Sequence, residues 1–199
     1  NFIYILKYAS SFLLITFLSS FLLGLDYLMI SYFSSSEQML SYHVTIRFFY
    51  FSFMMYFAYI TFAAKKINKL TNIYNSFEIR KIKKNTILIG MLCVFLIYVF
   101  VLVLNQIGLL EIITNGIDID NQILFGAYVY FSIRVFADTR IVIAQNLSYR
   151  LSLVKLYITQ IIISLICMPF LCYFFGGLGV LMSLSLSYIS GFFVKLEGK

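Results

Sequence analysis

The chain has 199 residues, of which 62% are hydrophobic and 12% are charged, and its mean hydropathy is +0.95. These values exclude an ordinary water-soluble domain, in which about a quarter of the residues are charged. In a soluble protein the net charge of +7 would suggest nucleic acid as a partner, but here it predicts contact with the anionic surface of a membrane.

Six apolar runs of spanning length follow one another along the chain. Two glycines, Gly176 and Gly177, separate the last two runs and predict a tight turn between them. The fold class that this pattern predicts is an all-α membrane protein with six transmembrane helices and no soluble domain. The predicted helices cover residues 8–33, 39–64, 86–104, 123–144, 156–175 and 178–194.

The segment 65–84 joins the second helix to the third and is rich in lysine and arginine. Its apolar residues Ile67, Leu70, Tyr74 and Phe77 recur at helical spacing, which predicts an amphipathic helix lying in the headgroup region. A solvated loop is the alternative interpretation.

Basic residues are distributed unevenly between the two sides of the predicted membrane. Positively charged loops are translocated poorly, so lysine and arginine mark the cytoplasmic side. The alternate loops hold only acidic charges, at Glu37, Glu111, Asp118 and Asp120. Both termini are therefore expected in the cytoplasm. Twelve of the fifteen basic residues lie on that side: Lys7, Lys65, Lys66, Lys69, Arg80, Lys81, Lys83, Lys84, Arg150, Lys155, Lys195 and Lys199.

Five charged side chains fall inside the predicted spans, where each costs roughly 2.5 to 3.5 kcal/mol on insertion scales. Such a group normally faces a partner or a water-filled cavity rather than lipid. These residues are the first candidates for a functional site: Asp26, Arg47, Arg134, Asp138 and Arg140.

The fourth helix carries three of these charges. Arg134 is about eleven residues from the outer end at residue 123, roughly 16 Å along the helix and near the middle of the bilayer. Asp138 follows at i+4, so the two side chains can form an ion pair on one helix face. Arg140 is about one turn from the inner end, where its long side chain can reach the cytoplasmic interface.

The first two helices carry the remaining pair. Asp26 and Arg47 lie at similar depths on consecutive antiparallel helices, which allows a pair across the two helices. His43 precedes Arg47 by one turn on the same face. A cavity containing Arg47, Arg134 and Arg140 would favour an anionic substrate, such as a phosphate or an acidic sugar.

Several stretches resemble the C-terminal six helices of bacterial polysaccharide flippases of the multidrug, oligosaccharidyl-lipid and polysaccharide exporter superfamily. The first is Leu25–Ile30, which is similar to the family's aspartate-containing stretch late in the opening helix of a half. The second is Leu40–Arg47, which is similar to the entry to the next helix. The polar residues 145–148 and the glycines of 175–179 also match.

The resemblance implies one half of a twelve-helix, MATE-like transporter in the bacterial inner membrane, whose partner half would precede Asn1. Such O-antigen flippases carry an undecaprenyl-pyrophosphate-linked sugar repeat outward by alternating access, without bond chemistry, so no enzyme activity is expected. Arg47 and Arg134 would meet the anionic lipid-linked glycan, with Asp26 and Asp138 orienting them or coupling transport to a proton or sodium ion.

Two other functions remain open at the level of the sequence. One is a MATE-type drug or metabolite antiporter, in which Asp26 would bind the coupling cation, although three arginines within the spans disfavour a cationic substrate. The other is a membrane glycosyltransferase or polymerase, because Asp118 and Asp120 form a DxD pair that can hold a divalent metal. No phosphate-loop, GxSxG or HExxH motif occurs, so no cofactor is expected.

Overall fold

The structure is a computed structural model that describes residues 2–71, 76–114, 116–146, 150–190 and 192–193. The all-α expectation is confirmed for these residues. The expected end of the last helix at 194, and residues 147 and 148 of the polar stretch, lie outside the described residues. The helices are α1 (Phe2–Phe33), α2 (Ser36–Thr71), α3 (Ser76–Gln106), α4 (Leu109–Ile113), α5 (Asn121–Asn146) and α6 (Arg150–Ser190).

Four regions of the described chain are long and apolar enough to cross a membrane. Apolar sequence forms helices there because a helix satisfies its own backbone hydrogen bonds without water. Helix α5 is not among the four, and it contains the charged residues Arg134, Asp138 and Arg140. The four regions are Leu13–Phe33, Ser36–Leu70, Phe77–Gln106 and Ser152–Ser190.

Helix α6 folds back on itself at Gly176, whose φ of 54° and ψ of −133° are not helical. We call residues 150–175 its first arm and residues 177–190 its second arm. A Cβ atom at Gly179 would collide with the backbone carbonyl of Leu171, so the two arms touch near the turn. Farther from the turn, Gln160 of the first arm and Tyr188 of the second line one small cavity. The arms are therefore antiparallel.

The basic segment 65–84 is divided between two long helices, because α2 continues to Thr71 and α3 begins at Ser76. Ile67 is fully buried in the core, whereas Phe77 is 76% exposed. Ile67 therefore packs within the bundle and is not available to a headgroup layer. Tyr74 lies outside the described residues.

The two ends of the bundle differ in charge. The acidic end is defined by Glu37, Asp118 and Asp120, close to where α2 and α5 begin and α3 finishes. The basic end is defined by the exposed cations of α2 and α3, namely Lys65, Lys66, Lys69, Arg80, Lys81, Lys83 and Lys84. The described helices thus separate the charges along the bundle as the loop pattern predicts.

Close packing at the centre of the bundle depends on a missing side chain in α3. A Cβ atom at Gly90 would lie 2.6 Å from side-chain atoms of both Tyr56 in α2 and Val135 in α5. Small residues permit this approach of helices, which van der Waals packing stabilises in a lipid environment. The Tyr56 hydroxyl also donates to the Val135 carbonyl at 2.9 Å, and this bond fixes α2 against α5.

Candidate functional site

Asp26 is buried in α1, with 3% of its surface exposed, and its carboxylate is held by two donors. The Tyr42 hydroxyl of α2 donates to Oδ2 at 2.8 Å, and the backbone N–H of Tyr27 donates to Oδ1 at 2.8 Å. The Asp26–Arg47 pair that the sequence allowed is not formed in the described structure. The tyrosine occupies the position of the partner because it lies on the buried face of α2, whereas Arg47 lies on the exposed face.

Arg47 is exposed about eleven residues into α2, roughly 16 Å from the start of the helix at Ser36. No hydrogen bond or ion pair to its guanidinium is found within the described part of the chain. One turn earlier, the half-buried ring of His43 stacks on Tyr27 of α1, with ring centroids 4.5 Å apart. The Nδ1 atom of His43 is buried and has no hydrogen-bond partner among the residues that the structure describes.

The Tyr27–His43 stack joins the exposed faces of α1 and α2. Exposed polar or small residues recur on α1 in line with Tyr27, at Thr16, Ser20 and Gly24. Helix α1 packs mainly along α6 and meets α2 chiefly through Asp26 and Tyr27. We call the exposed surface formed by Thr16, Ser20, Gly24, Tyr27, His43 and Arg47 the α1–α2 face.

Arg134 and Asp138 form the ion pair that the sequence predicts, with Nε donating to Oδ2 at 3.2 Å. The two side chains are buried, with only 9% and 11% of their surface exposed to solvent. A second guanidinium nitrogen, Nη1, donates to the Tyr130 hydroxyl at 3.4 Å. The charge of Arg134 is therefore matched within α5 itself.

Aromatic rings surround the Arg134 guanidinium, at 4.5 to 5.8 Å from Cζ to the ring centroids. This arrangement, here called the aromatic cage, draws rings from α2, α5 and the second arm of α6, and each ring face attracts the cation. The cage thereby links three helices through one charge. Its members are Tyr50, Phe53, Tyr130, Phe131 and Tyr188.

The two central arginines thus occupy different surroundings. Arg47 is accessible on the α1–α2 face, whereas Arg134 is enclosed by the aromatic cage and paired with Asp138. A ligand arriving at the α1–α2 face would meet Arg47 without any displacement of the cage. Arg134 is suited to holding helices together in this conformation.

Arg140 is half-buried and lies closer to the end of α5 than the ion pair does. Its Cζ atom is 5.3 Å from the ring centroid of Phe192. It lines a small cavity with Gln160 and Tyr188, apart from the α1–α2 face. The structure therefore does not bring Arg140 together with Arg47.

The DxD pair lies at the acidic end, before α5. Asp120 accepts a hydrogen bond from the backbone N–H of Gln122 at 2.8 Å, and its own N–H donates to Ser41 Oγ at 3.0 Å. Asp120 is therefore the N-cap residue of α5, directly before Asn121. No group of three or more His, Cys, Asp or Glu residues arranged to hold a metal ion occurs in the described ranges.

The sequence did not predict the roles of two groups of residues at the site. Tyr42 lies in the stretch Leu40–Arg47, but its bond to Asp26 was not predicted, and the ring members of the aromatic cage resembled ordinary interfacial residues in a chain with 16 Tyr and 22 Phe. One signal was present, because Tyr130, Arg134 and Asp138 follow at i, i+4 and i+8 on one helix face. The rings from α2 and α6 had no such signal.

Comparisons with protein-family models, with curated proteins and with solved structures found no match for this chain. Over the described residues, the fold and composition nevertheless define a class, which is an all-helical protein with four helices long and apolar enough to cross a membrane.

Proposed function

We propose that this chain is a six-span half of an inner-membrane transporter that moves an anionic lipid-linked glycan, an undecaprenyl-pyrophosphate-linked repeat unit, by alternating access. The observation that carries the proposal is the exposed guanidinium of Arg47 on the α1–α2 face, well inside a helix that is long and apolar enough to cross a membrane. A cation left without a partner at this depth is costly, so its presence indicates an anionic ligand.

Six spans follow if α5 and the two arms of α6 each cross the membrane, beside α1, α2 and α3. Helix α5 covers Asn121–Asn146, which is longer than the roughly 20 residues a bilayer requires. Its charged pair Arg134–Asp138 is enclosed by other helices, so neither charge of the pair is exposed to lipid. In this arrangement the basic end and both termini face the cytoplasm, as the positive-inside rule requires.

The chemistry of the α1–α2 face suits a phosphate next to a sugar. Arginine binds phosphate oxygens through two parallel N–H donors, and His43 one turn away adds a donor when it is protonated. The Tyr27–His43 stack forms an aromatic edge beside the cation, and the exposed hydroxyl-bearing and small residues of α1 extend the face without adding charge. A second six-helix half would close this face, and rocking of the two halves would expose it to each side in turn.

The test uses the complete protein in cells from which its gene has been deleted. The deletion should cause the lipid-linked repeat unit to accumulate on the cytoplasmic side, and the unaltered gene should reverse this. We expect Arg47→Ala to lower the transport rate at least about tenfold, because a hydrogen bond to a charged group contributes about 1.5–3 kcal/mol. Arg47→Lys should retain part of the rate, since it keeps the charge but loses the paired donors.

The matched control is Arg80→Ala, which removes an exposed arginine at the basic end. It should transport at the unaltered rate with equal protein in the membrane. Normal transport by Arg47→Ala, measured as no build-up of the lipid-linked glycan in lipid extracts, would overturn the proposal.

A cation-coupled antiporter of drugs or metabolites is the second candidate, and Asp26 is the observation that favours it. Its buried carboxylate is bound by Tyr42 and has no basic partner in the described structure, so it can take up a proton or a cation. Under this alternative, Asp26→Asn would abolish resistance to toxic cations, and Arg47→Ala would leave resistance unchanged. The same Asp26 site serves ion coupling in the preferred function.

A further inference from the structure

A cavity of about 720 Å³ opens at the acidic end, between the beginnings of α2 and α5 and the end of α3. It lies at the opposite end of the bundle from the basic residues of α2 and α3. A neighbouring cavity of about 340 Å³ beside the Gly176 turn shares Gln38, Asp120 and Gln122 with it. Eight of the twelve residues that line the larger cavity are polar, among them Glu37, Gln38, Asn105, Asp118, Asn121 and Gln122.

Hydrogen bonds hold the walls of this cavity in place. The Asn105 carboxamide donates to the Ile119 carbonyl at 3.1 Å and to Asn121 Oδ1 at 3.3 Å, and these bonds tie α3 to the beginning of α5. The bond from the Asp120 N–H to Ser41 Oγ ties the same connection to α2. The cavity is therefore formed before any ligand enters.

Other polar groups of the lining have no partner among the described residues. The carboxylates of Glu37 and Asp118 and the carboxamides of Gln38 and Gln122 make no side-chain hydrogen bond there. Carboxylates accept hydrogen bonds and carboxamides both donate and accept them, a set that matches the hydroxyl groups of a sugar. The acids do not form a cluster that could hold a metal.

We infer that this cavity binds saccharide units that are neutral or carry an amino group, and that it disfavours acidic ones. No basic residue of the described ranges lines it, so a carboxylate or phosphate would meet like charge without compensation. The inference rests on the proposed function and narrows its substrate. The negative charge that meets Arg47 belongs to the pyrophosphate, and the sugar at the acidic end carries none.

The test measures binding of phosphate-free sugars to the purified complete protein in detergent, by saturation-transfer NMR. The probes are maltotriose, chitosan trimer and trigalacturonate, which are neutral, basic and acidic. We expect maltotriose and chitosan trimer to give transfer signals and trigalacturonate to give none. The double variant Glu37→Gln/Asp118→Asn should lose at least half of the chitosan signal and should begin to bind trigalacturonate.

The matched control is Glu111→Gln, which removes an exposed acid of α4 that does not line the cavity. It should leave all three signals unchanged. Binding of none of the probes, or equal binding of trigalacturonate to the unaltered protein, would overturn the inference. Neither result depends on transport or on Arg47, so the saccharide site and the proposed function can fail separately.

Discussion

The ion pair inside the aromatic cage supports a sharp prediction about stability. Asp138→Ala leaves the Arg134 guanidinium buried with no carboxylate, and arginine cannot release its proton in a protein. Breaking a buried pair by removing one partner costs about 3–5 kcal/mol. The contacts with the rings exist before and after the change, so they do not offset this loss. Because 11% of the Asp138 side chain is exposed, we expect a loss of unfolding free energy at the lower limit of this range, about 3 kcal/mol.

This loss corresponds to a fall in melting temperature of roughly 6–12 °C, at about 2–4 °C per kcal/mol for a protein of this size. The assay heats the detergent-solubilised protein and measures the fraction that stays monodisperse on size exclusion. Asp138→Asn is the control that keeps the shape of the side chain and removes its charge. We expect it to show most of the destabilisation of Asp138→Ala, since the amide carries no charge.

A double variant separates charge from packing. Arg134→Leu/Asp138→Ala removes both charges, and exchange of a buried pair for apolar residues is often nearly neutral. We therefore expect the double variant to melt several degrees above Asp138→Ala alone. Two results would show that the ion pair does not stabilise the bundle. One is a melting temperature of Asp138→Ala within about 2 °C of that of the unaltered protein. The other is a fall in melting temperature of the double variant that equals the sum of the falls of Arg134→Leu and Asp138→Ala measured singly.

Two further predictions address the α6 hairpin and the orientation. Gly179→Ala places a methyl group against the Leu171 carbonyl and should lower the melting temperature by several degrees. Gly24→Ala is the control, because a Cβ atom there would have no described atom within 4 Å, and it should leave the melting temperature unchanged. Equal effects of the two variants would contradict the close packing of the arms. With the native cysteines replaced, Lys69→Cys should react with a membrane-impermeant maleimide only in inside-out vesicles and Glu37→Cys only in spheroplasts. The reverse pattern would refute a cytoplasmic basic end.

Local features of the fold could be predicted from the sequence. The turn at Gly176 was expected from two glycines between apolar runs, and the structure has a non-helical residue there. The Arg134–Asp138 pair was expected from i,i+4 spacing and is formed. Both depend on neighbours in the chain, which a sequence displays directly.

Helix ends were less predictable, because apolarity marks what lipid covers and not where a helix stops. The second predicted helix ended at 64, yet α2 continues to Thr71 with Ile67 buried in the core. The third began at 86, yet α3 begins at Ser76. The short helix α4 had no counterpart among the predicted elements.

The sequence by itself determined that this protein is helical and apolar enough for a membrane, and it determined which few charges needed an explanation. It could do so because a bilayer restricts composition and backbone structure severely. The tertiary structure alone decided the partners of those charges: Tyr42 rather than Arg47 for Asp26, and rings from three helices around Arg134. The reason is physical, since the rotation of each helix about its axis depends on packing against the others and determines which side chains meet.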